Sequence, residues 1–144
     1  MVPRVYVLNG VNLGTLGQRL PEIYRALTLN DINSLLEKGF PEVELEFRQT
    51  DSEGEMIGFV REAADSTGLI INPGAWTHYS YALRDALEAV SVYKVEVHIS
   101  NIYAREEWRR ISVVSPAVHA VVAGMGAEGY RAAVSYILWC DNGR

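Results

Sequence analysis

The chain has a single cysteine, Cys140, and only two lysines, Lys38 and Lys94. One thiol cannot close an internal disulfide, and no Cys/His spacing reads as a zinc site. No apolar run approaches the roughly 20 residues of a spanning helix. The start, Met1-Val2-Pro3-Arg4, lacks the charged and apolar regions of a secretory leader, so a cytoplasmic home is expected. Low-complexity tracts, linkers and internal repeats are also missing. A formal net charge of −5 argues against nucleic acid as a partner.

What is present fits one domain spanning residues 1–144. Hydrophobic residues make up 49% and charged residues 22%, which suits a soluble globular core rather than a disordered or membrane chain. Apolar runs and turn-rich segments alternate. Val5-Tyr6-Val7-Leu8 reads as a strand ending at Asn9-Gly10. Thr28-x-x-Asp31 reads as a capping box ahead of a helix carrying Leu29, Ile32, Leu35 and Leu36, closed by Gly39. Val43, Leu45 and Phe47 alternate with glutamates, a strand with one wet face. Ser52-x-x-Glu55 caps a helix with Met56, Phe59, Val60 and Ala63 on one side. Gly68 to Ile71 reads as a buried strand. A third helix is expected to bury Tyr79, Leu83, Ala86, Leu87 and Val90. Val95, Val97 and Ile99 form a fourth strand, Val118 to Ala123 a fifth, and Tyr130 to Leu138 the last helix.

Strands alternating with helices predict an α/β fold with a parallel sheet and right-handed crossovers. About five units suggest a flavodoxin-like doubly wound sheet in order 2-1-3-4-5, with helices on both faces. The glutamate-bearing second strand then becomes an edge. Ligands of such sheets bind beyond the carboxyl ends of the strands. Those ends gather Asn9, Gly10 and Asn12; Gln49, Thr50 and Asp51; Asn72, Gly74, Thr77 and His78; and Glu96, His98, Ser100 and Asn101. Two long segments, one with Arg19 and Tyr24 and one with Arg105 and Arg109, lie beside them and have the length of functional lids. Arginine holds carboxylates, asparagine offers donors to a developing oxyanion, and histidine and tyrosine move protons. Carbonyl or carboxylate substrates suit that mixture. Glu96 and His98 share a strand face, so the carboxylate can orient the imidazole.

Gly124-x-Gly126-x-x-Gly129 has the form of a dinucleotide fingerprint. It lacks the second strand of a βαβ unit and the acidic residue about 20 positions on, so it reads as a tight strand-to-helix turn. His119, early in the fifth strand, reads as structural. Asn9 to Leu16 is a poor phosphate loop, which disfavours a flavin module.

Taken in order, several short motifs resemble the type II 3-dehydroquinate dehydratase family over nearly the whole chain. They are Leu8-Asn9-Gly10-Val11-Asn12-Leu13, the Gly17 to Tyr24 segment, Phe47-Arg48-Gln49 and Glu53-Gly54-Glu55. Further on come Ile71 to His78, Ala82-Leu83-Arg84-Asp85-Ala86, Glu96 to Asn101, and Ala104 to Glu107. The resemblance implies dehydration of 3-dehydroquinate to 3-dehydroshikimate through an enolate, with no metal or cofactor, in a dodecamer built from trimers. It implies Tyr24 as base with Arg19 beside it, since a tyrosine of ordinary pKa roughly 10 needs a neighbouring cation. Asn12 matches the residue that stabilises the enolate, and His98 the acid, oriented by Glu96. Asn72, Gly74, Ile99 and Ser100 match the motifs that hold the substrate carboxylate. His78, Arg109 and Asp85 match the hydroxyl-binding end, the aspartate reaching in from a neighbouring subunit. Arg105 matches a lid arginine.

Five positions depart from the family pattern. Val11 replaces a common proline and Leu20 an acidic residue. Arg25 stands in place of glycine and Tyr103 in place of histidine, and Ile111 also differs. Independently of the resemblance, neither lysine sits at the carboxyl edge, so direct proton abstraction is expected rather than a Schiff base.

Overall fold

The structure, a computed structural model, describes residues 1–18 and 27–143. Five strands form one parallel sheet: β1 (Arg4–Asn9), β2 (Glu44–Gln49), β3 (Gly68–Asn72), β4 (Tyr93–His98) and β5 (Ala120–Ala123). Their order is β2-β1-β3-β4-β5, the doubly wound arrangement expected. Among the described residues four α-helices pack on it: α1 (Leu29–Gly39), α2 (Glu53–Glu62), α3 (Tyr81–Glu88) and α4 (Glu128–Asp141).

Period-two alternation splits the core into two layers. Val5 and Val7 of β1 face Ile32 and Leu36 of α1 and Val134 and Ile137 of α4. Tyr6 and Leu8 face the opposite way, onto Met56 and Val60 of α2 and Leu83 and Leu87 of α3. The central strands are buried on both faces, while β2 stays partly wet along its length, as an edge strand does.

The Thr28 capping box forms in both directions with Asp31. At α2 only half forms. The Ser52 hydroxyl accepts from the Glu55 N–H, but the Glu55 carboxylate takes the Thr50 hydroxyl instead of reaching back. That is open to it because Thr50 Oγ1 already satisfies the Ser52 N–H.

Two expectations need correction. Tyr79 is not a buried helix residue: it closes a short 3-10 turn, Gly74–His78, and is 58% exposed. Ser80 caps α3, its hydroxyl accepting from the Leu83 N–H, so the helix starts one residue later, at Tyr81. The fifth strand opens at Ala120 rather than Val118. Ser115–Ala117 forms another 3-10 turn, and the Val118 N–H is spent on Ser115 O.

In-register pairing aligns the strand ends that build the site. Asn9 stands beside both Gln49 and Asn72, and His98 beside Ala123.

Candidate active site

The β1 turn and the β3 turn interlock at the carboxyl edge. The Gly10 N–H donates to Asn72 O at 2.8 Å. Gly74 has φ +60°, and a Cβ there would stand 2.8 Å from Val11 O. Only glycine lets the two turns approach so closely. Asn12 follows in the left-handed region, φ 69°, which asparagine tolerates, and its N–H donates to Asp51 Oδ1.

Above these turns lies a cleft of about 130 Å3. It is lined by Asn12, Asn72, Gly74 and His78 from the first and third strand ends, and by His98, Ile99, Ser100, Arg105 and Arg109 from the fourth strand end and the segment after it. Nine of the residues read from the sequence as site residues are therefore brought together. Glu96 stands behind His98. Asp85 is exposed on α3 and does not line the cleft of its own chain. Arg19 and Tyr24 lie outside the described residues.

Glu96 is fully buried on the central strand β4. Its carboxylate is surrounded by donors. His98 Nε2 lies 2.5 Å away, Thr77 Oγ1 2.5 Å, Ser115 Oγ 2.5 Å and Ser112 Oγ 3.2 Å. Burial pushes this carboxyl up, and the contacts from His98, Ser115 and Thr77 outweigh it, leaving the group below the ordinary carboxylate range. An ionised carboxylate only accepts, so His98 Nε2 carries a hydrogen. Nδ1 is the other ring nitrogen, and the ring lines the cleft.

His78 is fixed differently. Its Nδ1 lies 2.7 Å from Ile111 O, so that nitrogen carries the hydrogen and Nε2 is left as acceptor. The ring meets Trp108 edge-on at 5.0 Å. Burial lowers its pKa, and the nearby His98 and Arg109 push the same way against the Ile111 carbonyl. Arg109 stacks over Trp108 at 4.1 Å, and its Nε donates to Glu106 at 3.0 Å. Arg105 donates to the Ser100 hydroxyl at 3.2 Å. The rim is thus cationic, and its arginines are held in place by an exposed glutamate.

Sequence reasoning missed Ser112 and Ser115 as partners of Glu96, and Tyr130 beneath Asn72. The available signal was indirect: a carboxylate on a buried central strand must find donors somewhere. The lysines stand where the sequence placed them, away from the cleft. Lys94 Nζ donates to Leu87 O and Val90 O at 2.8 and 2.6 Å, tying down the end of α3. His119 Nδ1 accepts the Lys94 N–H, a structural role as expected. Among the described residues no three His, Cys, Asp or Glu side chains cluster as a metal site would require. No helix there is long and apolar enough to cross a membrane.

The family model for dehydroquinase class II matches residues 3–138. A 3-dehydroquinate dehydratase of Kineococcus radiotolerans is 50% identical over 137 residues, covering 93% of this chain and 94% of that protein. One of Bacillus subtilis is 45% identical over 141 residues, covering 95% of each. The crystal structure of the type II dehydroquinase of Propionibacterium acnes superposes with a TM-score of 0.91 at 46% identity, covering 95% of this chain and 97% of that one. With a family model, a sequence and a fold all matched across nearly its whole length, the chain belongs to the class II dehydroquinase family.

Proposed function

We propose that this protein is a hydro-lyase converting 3-dehydroquinate to 3-dehydroshikimate and water. One observation carries the reading beyond family membership. The cleft brings a histidine backed by a buried, ionised carboxylate together with amide donors and two arginines. That is the equipment for holding an anionic substrate while protonating a leaving hydroxyl.

The reaction removes a proton next to the ketone and expels a hydroxyl from the neighbouring carbon, on opposite faces of the ring. Tyr24 takes the proton, its phenolate favoured by Arg19, and the electron pair moves onto the ketone oxygen as an enolate. Asn12, which lines the cleft, stabilises that oxygen. The enolate then collapses, forming the C=C bond as the C–O bond breaks. His98 gives the leaving oxygen its proton from Nδ1, and water departs. Glu96 stabilises the imidazolium that this step requires and fixes its orientation. The substrate carboxylate takes N–H donors from Asn72 and the Ile99–Ser100 backbone, beside Gly74. His78 and Arg109 bind the ring hydroxyls, and Arg105 closes over the site.

Asp85 completes the hydroxyl end from a neighbouring copy of the chain, within a dodecamer of four trimers. Its exposure on α3 supports that reading, because it is free to serve another cleft. The reaction fits either aromatic biosynthesis or quinate breakdown.

The test is to mix the purified protein with 3-dehydroquinate and follow the ultraviolet rise of the conjugated enone. A rise that survives borohydride treatment in the presence of substrate is expected. No rise from folded protein would leave a binding protein and overturn the reading. Tyr24→Phe should abolish turnover while retaining product-analogue binding; unchanged turnover would remove Tyr24 as the base.

A further inference from the structure

The glycine motif that resembles a nucleotide fingerprint has a different use in this fold. After β5 the chain turns under the cleft. The Gly124 N–H donates to His98 O at 3.2 Å, and the Gly126 N–H to Ile99 O at 3.0 Å. The turn therefore grips the backbone on which the acid and the carboxylate-binding amides sit. At Gly129 a Cβ would stand 3.2 Å from Val122 and 3.4 Å from Val97. Its absence lets the first turn of α4 press against the sheet.

That approach brings Tyr130 to the strand ends. Tyr130 is fully buried, and its hydroxyl bridges two buried asparagines that are register partners on adjacent strands. It donates to Asn9 Oδ1 at 2.6 Å and accepts from Asn72 Nδ2 at 3.0 Å. A phenol has one proton, and here it is committed to Asn9. Only a lone pair is left for Asn72, which must answer with its nitrogen. On the other side of the same amide, the Gly74 N–H donates to Asn72 Oδ1. The amide is held at both ends, with its second Nδ2 hydrogen left for the cleft it lines.

We propose that Tyr130 is a positioning residue for anion selectivity: by spending its proton on Asn9, it makes Asn72 present a donor to the substrate carboxylate. The inference rests on the substrate reading above and extends it to a side chain that never touches substrate. A tyrosine needed only for packing would be replaceable by phenylalanine. One acting through hydrogen-bond direction would not be, and neither would the asparagine that fixes that direction.

The experiment compares the full-length protein with Tyr130→Phe and Asn9→Leu. For each it measures kcat and KM for 3-dehydroquinate and the inhibition constants of two ring analogues, one with the carboxylate and one with a neutral carboxamide in its place. Tyr130→Phe frees the Asn72 nitrogen to pivot. Asn9→Leu releases the tyrosine proton toward Asn72 while keeping the tyrosine. Each should raise KM and weaken the carboxylate analogue by about fivefold to tenfold, the scale of one hydrogen bond, with kcat within about twofold and the carboxamide little changed. If only one variant folds, it alone decides. Equal weakening of both analogues, or unchanged KM, overturns the proposal and leaves Tyr130 a packing residue. Absence of turnover in the unaltered protein would instead overturn the substrate reading, a result separate from both.

Discussion

The Glu96 carboxylate and the His98 imidazole meet at 2.5 Å on one face of β4, with the glutamate fully buried and the histidine open to the cleft on its far side. A charge in that position is costly unless every lone pair is answered. Here His98, Thr77, Ser112 and Ser115 answer them.

Replacing Glu96 with glutamine keeps the volume and removes the charge. The amide cannot stabilise an imidazolium, and it frees the ring to change tautomer. The expected result is a fall in kcat of about 100-fold, within the range of a lost general acid, with KM little altered. Steady-state kinetics decide it; retention of kcat would separate Glu96 from the acid step.

Ser115→Ala should act through pH. Its hydroxyl helps hold Glu96 below the ordinary value of 4.5, so removing it lets the carboxyl rise. A carboxylate lowered in the folded protein adds stability above its unfolded value and loses it as pH falls through the folded one. The variant should therefore acid-denature at a higher pH than the unaltered protein. Circular dichroism between pH 7 and pH 2 checks this, and coincident acid transitions would count against it.

His78 should titrate below 6.5, because burial and the neighbouring cations oppose its charge. The folded protein then binds fewer protons there than the unfolded chain. The stability gained from neutral His78 is full above 6.5 and declines as pH falls toward the lower folded value. An NMR titration of its ring hydrogens gives the midpoint; a value at or above 6.5 would contradict the described environment.

Lys94 offers a test of the rejected Schiff-base route. Lys94→Met leaves the Leu87 and Val90 carbonyls without their donor, costing roughly 1–3 kcal/mol of stability. Turnover at 25 °C should persist, since the amine lies at the amino-terminal end of β4. Loss of kcat in protein still shown to be folded would reopen that route.

Local patterning carried most of the fold. The Thr28–Asp31 box, the alternating glutamates of β2 and the apolar face of α3 are relations between residues two to four apart, which a linear reading recovers. The same applies to Glu96 and His98, whose shared face follows from the pleat alone. Tyr79 misled because its spacing continues the apolar stripe of α3, whereas the cap at Ser80 stops the helix short of it.

Two further features of the site have no such local signature. The hydroxyls around Glu96 come from positions 16 to 19 residues away on turns with no periodic pattern. Tyr130 reaches partners 58 and 121 residues distant. Periodicity decides which side of an element faces the core, and so determined the sheet, its order and the edge where the site lies. Which polar atoms meet there was decided only when the strands came into register and α4 closed against them, because hydrogen-bond direction depends on ångström distances between segments that the chain keeps far apart.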